Sequence, residues 1–243
     1  MTRRRWIADE VDLARHRAAL VGQNAVHLAR VLRAKAGQEF DLALPGGAST
    51  VHAARIISVA DSRVEFELGE PLEVATEPAV VDLYLAVFKF DRMEWAIEKA
   101  TELGVTRIVP VIAGRTEKHL ATAADKRVDR WRRIVHEAAQ QSRRSRLPEV
   151  ARPLQLREVL DQPDAGPAGI VLAENKAQTG LKDLLQELGS PSQVRLAIGP
   201  EGGWTSEEAA LFAHSGWRSA SLGPAILRTE TAAIAALAII LSP

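Results

Sequence analysis

Two regimes of hydrophobic patterning divide the chain near residue 72. Before it, Glu39–Leu44, Val51–Ser58 and Arg63–Leu68 are short, partly alternating runs that predict strands. Pro45-Gly46-Gly47 and Ala60-Asp61-Ser62 supply the turns between them. Asn24 to Arg33 has helical spacing instead, with Asn24 placed to cap the start and Gly37 close to the end. Short strands with a single helix predict a small barrel over residues 1–72. Glu70-Pro71 to Glu77-Pro78 is rich in Pro and Glu and has no periodicity, so it reads as a linker.

Beyond the linker, strand and helix patterns alternate. Val80 to Phe88 is nearly continuous apolar sequence, as expected of a strand covered on both faces. Met93–Leu103 predicts a helix closed by Gly104, and Arg107–Ile112 the next strand. The segment from Asp125 to Gln141 predicts a longer helix, with Trp131, Ile134, Val135 and Ala138 on one stripe. Strands at Gly169–Ala173 and Val194–Ile198 flank a helix at Leu181–Leu188. Thr205 to Glu208 forms a capping box before a helix at Ala209–His214. Ser219–Leu222 and an apolar helix at Ala232–Leu241 complete the pattern. The fold class this predicts for residues 73–243 is α/β, a mostly parallel sheet with helices on both faces.

Two Gly/Pro-punctuated stretches stand out in that second region. Ile198-Gly199-Pro200-Glu201-Gly202-Gly203-Trp204 and Leu222-Gly223-Pro224-Ala225-Ile226-Leu227-Arg228 each follow an apolar run and precede a helical one. Glycine lets main chain approach a flat ligand or another segment, because no Cβ intervenes. The pair predicts one shared small-molecule pocket built mainly from backbone groups. Its spacing is not that of a dinucleotide fingerprint, a Walker A loop or a serine nucleophile elbow.

Composition narrows the chemistry. With no cysteine among 243 residues, disulfides, thiolate metal sites and cysteine nucleophiles are excluded. The six histidines have no metal-ligand spacing, so no metal is expected. The longest apolar helix, Ala232–Leu241, falls short of the ~18–20 residues of a membrane span. Arg3-Arg4-Arg5 leads into charged sequence instead of the apolar core of a signal peptide, which points to a cytoplasmic location and no membrane partner. Net charge is zero, yet residues 1–36 carry eight Arg/Lys against three Asp/Glu, and residues 126–146 carry eight against two. Local basic clusters of this kind suit a polyanionic partner.

The chain resembles the bacterial 16S ribosomal RNA uridine-N3 methyltransferase family, and its C-terminal two thirds resemble the knotted SPOUT superfamily to which that family belongs. The residues that carry the resemblance are Arg92-Met93-Glu94 and Lys99 to Val105. Glu137 to Ser142 follows, with Arg144, Arg146, Pro148 and Glu149, and then the two Gly/Pro stretches, the second extending through Thr229-Glu230-Thr231-Ala232. In the N-terminal part, His27-Leu28-Ala29-Arg30-Val31-Leu32-Arg33 resembles the family's PUA-like RNA-binding segment. The chain departs from the family at Arg143, where glycine is usual after Gln-Ser, and at Leu44-Pro45-Gly46-Gly47, where an aspartate-glycine turn is usual.

The resemblance implies a PUA-like β-barrel over 1–72 and a SPOUT domain with a C-terminal trefoil knot over 73–243. It implies S-adenosylmethionine as cofactor, held by Leu172, Ala173 and Glu174, by Ile198, Gly199, Pro200, Glu201, Gly202 and Gly203, by Leu222, Gly223, Pro224, Ile226, Leu227 and Arg228, and by Thr231 and Ala232. It implies 16S ribosomal RNA in the small subunit as partner, contacted by Arg4, His27, Arg30, Arg33, Arg115, Arg144 and Arg146, and a homodimer. A knotted methyltransferase acting elsewhere on RNA, such as a ribose 2′-hydroxyl, and a non-catalytic ribosome-assembly protein are the alternatives. The absence of cysteine agrees with a nitrogen target, because methylating a pyrimidine carbon commonly proceeds through a cysteine adduct. Uridine N3 must shed its proton or have the developing uridinate stabilised. Arg228 is the candidate cation for that task. Glu201 and Glu230 are candidate proton acceptors, or else cap a helix or hold Arg228.

Overall fold

The computed structural model describes residues 5–44, 50–72, 79–144, 146–161, 168–173 and 179–242. Two compact units divide the chain: residues 1–76 with 139–147, and residues 77–138 with 148–243. The first unit is therefore discontinuous, where a contiguous 1–72 was expected from the change of pattern. The turn at Pro45-Gly46-Gly47, most of the linker, Arg4 and Glu174 lie outside the described residues.

In the first unit, β1 (Arg5–Ile7), β2 (Glu10–Asp12), β3 (Arg17–Val21), β4 (Glu39–Ala43), β5 (Val51–Ala60) and β6 (Arg63–Leu72) form one mixed sheet in the order β1-β4-β5-β6-β3-β2. Only β1 with β4 is parallel. Among the described residues the end strands β1 and β2 do not pair with each other, so the hydrogen bonding is that of an open sheet. Trp6, Leu20, Leu28, Leu42, Ile56 and Phe66 form its core. The expected helix begins earlier, as α1 (Gly22–Val26), and continues as a π turn over His27–Val31. Asn24 does not cap it. Its amide nitrogen lies 3.5 Å from Asp9 Oδ1, while Asp9 Oδ2 accepts from the Val21 backbone N–H, so Asn24 belongs to the Asp9 contact.

The second unit is a seven-stranded, all-parallel sheet. Its strands are β7 (Val80–Ala86), β8 (Arg107–Ile112), β9 (Glu149–Val150), β10 (Leu154–Gln155), β11 (Ala168–Leu172), β12 (Gln193–Ile198) and β13 (Arg218–Ala220), in the order β10-β8-β7-β12-β11-β13 with β9 also on β8. The expected parallel α/β arrangement is thus observed. Pro110 sits inside β8 at the gap between β9, which pairs Arg107–Ile108, and β10, which pairs Val111–Ile112. A residue without an N–H is tolerated where the ladder is interrupted.

Alternation along β7 explains why both faces are covered. Leu83 and Leu85 join the core with Met93 and Ile97 of α2 (Phe90–Leu103) and with Leu237, whereas Tyr84 turns to the other face with Val109, Phe212 and Trp217. Beyond α3 (Lys118–Ala123), α4 (Val128–Gln141) buries Trp131 and Val135 in the first of these clusters. Arg130 locks α4 to α2 with a two-pronged contact to Glu94 at 2.6 and 2.7 Å. The chain continues through α5 (Leu156–Leu160), α6 (Leu181–Glu187), α7 (Ser206–His214) and α8 (Thr229–Leu241). Among the described residues no helix is long and apolar enough to cross a membrane.

Candidate active site

Parallel strands deliver their following loops to one edge, and ligands of open α/β sheets bind there. The ends of β11, β12 and β13, with the loops at 199–205 and 221–228, enclose a cavity of about 500 Å³. That volume suits a small molecule. The wall is largely apolar and aromatic. Trp204 stands edge-on to Phe212 with centroids 4.8 Å apart, and Phe212 to Trp217 at 5.2 Å. Tyr84 meets Trp217 from behind at 5.7 Å, and the Arg195 guanidinium lies 5.1 Å from the Trp217 ring. Burial pushes the Tyr84 hydroxyl up from its ordinary value, with Asp82 adding to the effect.

The glycine loop is shaped as its sequence requires. Gly203 has φ +70°, a left-handed conformation, and a Cβ at Gly199 would lie 3.2 Å from the Trp204 indole. Trp204 lines the cavity, and its Nε1 is buried without a hydrogen-bond partner. Arg115 lies across the loop, donating to the Gly202 carbonyl. Thr205 and Glu208 form the expected capping box at the start of α7. Glu208 does more than cap: Oε1 accepts from the Gly114 N–H at 2.7 Å and Oε2 from the Thr205 N–H at 2.8 Å, tying the loop after β8 to the glycine loop. The Glu207 carboxyl is held below its ordinary value by its own backbone N–H, then by Thr205.

Of the residues expected to hold cofactor, Leu172, Ala173, Ile198, Gly199, Pro200, Gly202 and Gly203 line the cavity, as do Leu222, Gly223, Leu227 and Ala232. Glu201, Pro224, Ile226, Arg228 and Thr231 do not. Glu201 points instead to Arg92, whose Nη1 donates to Oε1 at 2.9 Å, and Arg92 Nε lies 3.9 Å from Glu230 Oε1. Both carboxylates expected to bear on Arg228 therefore converge on Arg92, in the first turn of α2. Arg228 is exposed at the N-cap of α8, without a side-chain cap bond.

In the first unit, the exposed Arg30 pairs with Asp61 at 2.9 Å. The Asp61 carboxyl is held below its ordinary range by that hydrogen bond first and by the Arg30 charge second. His27 stacks obliquely on Trp6 at 5.8 Å, and Arg33 adopts a left-handed φ of +51°. Arg144, expected to meet phosphate, is only 7% exposed, whereas Arg146 is exposed. Arg143 has φ +58°, the conformation glycine adopts freely, which accounts for the glycine usual at this position.

Sequence reasoning missed the aromatic wall and Arg92's role. Trp204 abuts the glycine motif and was within reach of it. Phe212 and Trp217 arrive from α7 and the turn after it, and Arg92 lies 109 positions from Glu201.

Residues 75–241 match the model of the RNA methyltransferase domain family. Proteins named ribosomal RNA small subunit methyltransferase E are 37% identical in Synechocystis, over 87% of this chain and 68% of the relative, and 30% identical in Aquifex aeolicus, over 88% and 89%. The crystal structure of the enzyme of that name from Neisseria gonorrhoeae, bound to S-adenosyl methionine, superposes with a TM-score of 0.84 at 32% identity, covering 98% of this chain and 96% of that one. A putative methyltransferase from Legionella pneumophila, also with bound cofactor, superposes at 0.83 with 30% identity over 99% and 97%. The chain belongs to the RNA methyltransferase family that includes the ribosomal RNA small subunit methyltransferases E.

Proposed function

We propose that this protein methylates N3 of a uridine in 16S ribosomal RNA of the small subunit, using S-adenosylmethionine. The observation that carries this reading is the cavity at the ends of β11, β12 and β13. Its size, its backbone-rich loops and its aromatic wall suit a nucleoside bearing an amino-acid tail, and the Neisseria structure of matching fold holds that cofactor. When bound, S-adenosylmethionine supplies an electrophilic methyl group. The chain's own residues prepare the nucleophile. Glu201 and Glu230 flank the cavity-lining Pro200, Gly202 and Thr229, where a carboxylate accepts the N3 proton. General base catalysis contributes about 10²–10⁴-fold, and positioning of the base up to ~7–11 kcal/mol. Arg228, exposed at the α8 N-terminus, holds a uridinate oxygen.

The path through residues 199–228 is read as the family's trefoil knot, and the sheet of the first unit as its PUA-like RNA-binding barrel. Exposed Ile239 on α8 and Trp95 on α2 support a two-fold dimer through these helices, for which light scattering is the test. Incubation with small subunits lacking the modification, then nuclease digestion and mass spectrometry, should yield 3-methyluridine. A 2′-O-methyl nucleoside, or none, overturns the reading. Arg228→Ala should lower methyl transfer roughly 10²–10³-fold, as for loss of one oxyanion donor, with cofactor affinity and Tm retained. Early unfolding or lost cofactor binding would make Arg228 structural.

A further inference from the structure

Glu230 is the most unusual charged group in the second unit. It is 6% exposed, and its Oε2 is buried with no hydrogen-bond donor. A buried acceptor left unsatisfied is costly, more so when charged. Its position in the first turn of a thirteen-residue helix favours the negative charge, but the helix leaves Oε2 without a donor. Its one cationic neighbour among the described residues is Arg92, at 3.9 Å, a separation too long for a hydrogen bond and hence a contact readily exchanged. Arg92 is itself one-third exposed and anchored at 2.9 Å by Glu201. With Nη1 on Glu201, its guanidinium retains further N–H donors. The cluster adjoins the cavity rim, since Glu201 lies between Pro200 and Gly202 and Glu230 follows Thr229, all lining residues.

An unsatisfied carboxylate beside a guanidinium with donors to spare is an acceptor and a donor side by side. The imide edge of uracil presents the complement: a carbonyl acceptor, the N3–H donor, and a second carbonyl. Cytosine offers an amino donor where uracil has O4, and a bare N3 lone pair where uracil has N3–H. Against this pair it would face amino group to guanidinium and lone pair to carboxylate. The geometry points to Arg92 and Glu230 as the pair that selects uracil over cytosine, Glu230 Oε2 accepting from N3–H and Arg92 donating to O4, with Glu201 steering Arg92. This assignment rests on the uridine-N3 reading. It places Arg92, and not Arg228 alone, among the substrate contacts, and it singles out Glu230 as the carboxylate that meets N3. Oε2 is sealed in the free protein, so base entry must uncover it, with Arg92 Nε giving up its 3.9 Å contact with Glu230 Oε1 while Nη1 keeps Glu201.

The test uses full-length protein and small subunits carrying either uridine or cytidine at the modified position. Wild type should favour uridine by roughly 10⁴-fold or more, as for a site built to hydrogen-bond the correct substrate. Glu230→Gln, which takes away the charge that receives the N3 proton and that opposes the lone pair of cytidine N3, should lose far more activity on uridine than on cytidine, cutting the preference by about 10²-fold or more. Arg92→Met should reduce kcat/KM on uridine and compress the preference, with Arg92→Lys restoring part of it. Binding without turnover gives a second readout: with S-adenosylhomocysteine present, wild type should bind uridine subunits more tightly than cytidine ones, and Glu230→Gln should narrow that difference, leaving the part that Arg92 supplies. Calorimetry should show unchanged cofactor affinity for all three variants. If Arg92→Met and Glu230→Gln keep the wild-type preference, or lose only Tm and cofactor affinity, the pair is a structural clamp and the inference falls. If wild type leaves no methyl on N3, the uridine-N3 reading falls and takes this one with it.

Discussion

Replacing Gly169 by alanine tests whether the cavity wall is as tightly packed as it looks. A Cβ at residue 169 of β11 would lie 2.7 Å from Trp217 Cδ2 and 2.9 Å from Cγ. Carbon atoms in comfortable contact sit ~3.5–4.0 Å apart, so the ring must retreat by about 1 Å. It has little room. Trp217 is 5% exposed and held between Phe212, Tyr84 and the Arg195 guanidinium. Overpacking of this kind costs about 1–3 kcal/mol. In a chain of this size each kcal/mol is worth ~2–4 °C, so Tm should fall by roughly 2–12 °C. Because Trp217 lines the cavity, affinity for S-adenosylmethionine should fall too. Gly189→Ala is the control: φ there is +72° with nothing within 4 Å of a Cβ, so it should lose about 1 kcal/mol to backbone strain and leave cofactor affinity alone. Thermal melts and calorimetry on both variants decide it. A Gly169→Ala protein with wild-type Tm and affinity, or a Gly189→Ala protein equally impaired in binding, refutes the reasoning.

Asp61→Asn should release Arg30 from its 2.9 Å ion pair, tightening RNA binding and steepening its salt dependence by up to about one phosphate contact; an unchanged slope in a salt titration means that Arg30 does not meet phosphate. Arg143→Gly should stabilise the first unit by about 1 kcal/mol by relieving the left-handed backbone at φ +58°. The Arg143 carbonyl that accepts from Arg5 survives that change, so denaturant melts should register the gain directly.

What could be read from sequence follows from how locally each feature is encoded. The strands β7, β8 and β12 announce themselves because burial on both faces leaves mostly apolar runs, broken only by Asp82 in β7, Arg107 at the start of β8 and Gln193 and Arg195 in β12. The capping box at Thr205 and the left-handed Gly104 after α2 are fixed within a few residues, and both were legible. β1 and β2 were not, being three residues each, and β3 reads Arg-Ala-Ala-Leu-Val, which suits a helix as well as a strand. Asn24 had the chemistry of a cap, but Asp9 from another turn engages it. The cavity loops were visible through their glycines, since close approach of main chain demands that residue type. The partners of Glu201 and Glu230 were not, because no local pattern says which cation a distant helix will bring. Arg228 was the nearest in sequence; Arg92 is the nearest in space.

The discontinuity of the first unit bears on how the chain is made. Its six strands are complete at Leu72, yet residues 139–147 belong to the same compact body. Ala139 is fully buried among Ile7, Ala43 and Val51. Domains synthesised first ordinarily fold first, but this one gains its full set of contacts only once residues 139–147 have been made. Until residue 147 has left the ribosome, the nascent N-terminal sheet carries an uncovered apolar spot, and its final closure falls due only when residues 77–138 of the second unit have already been translated.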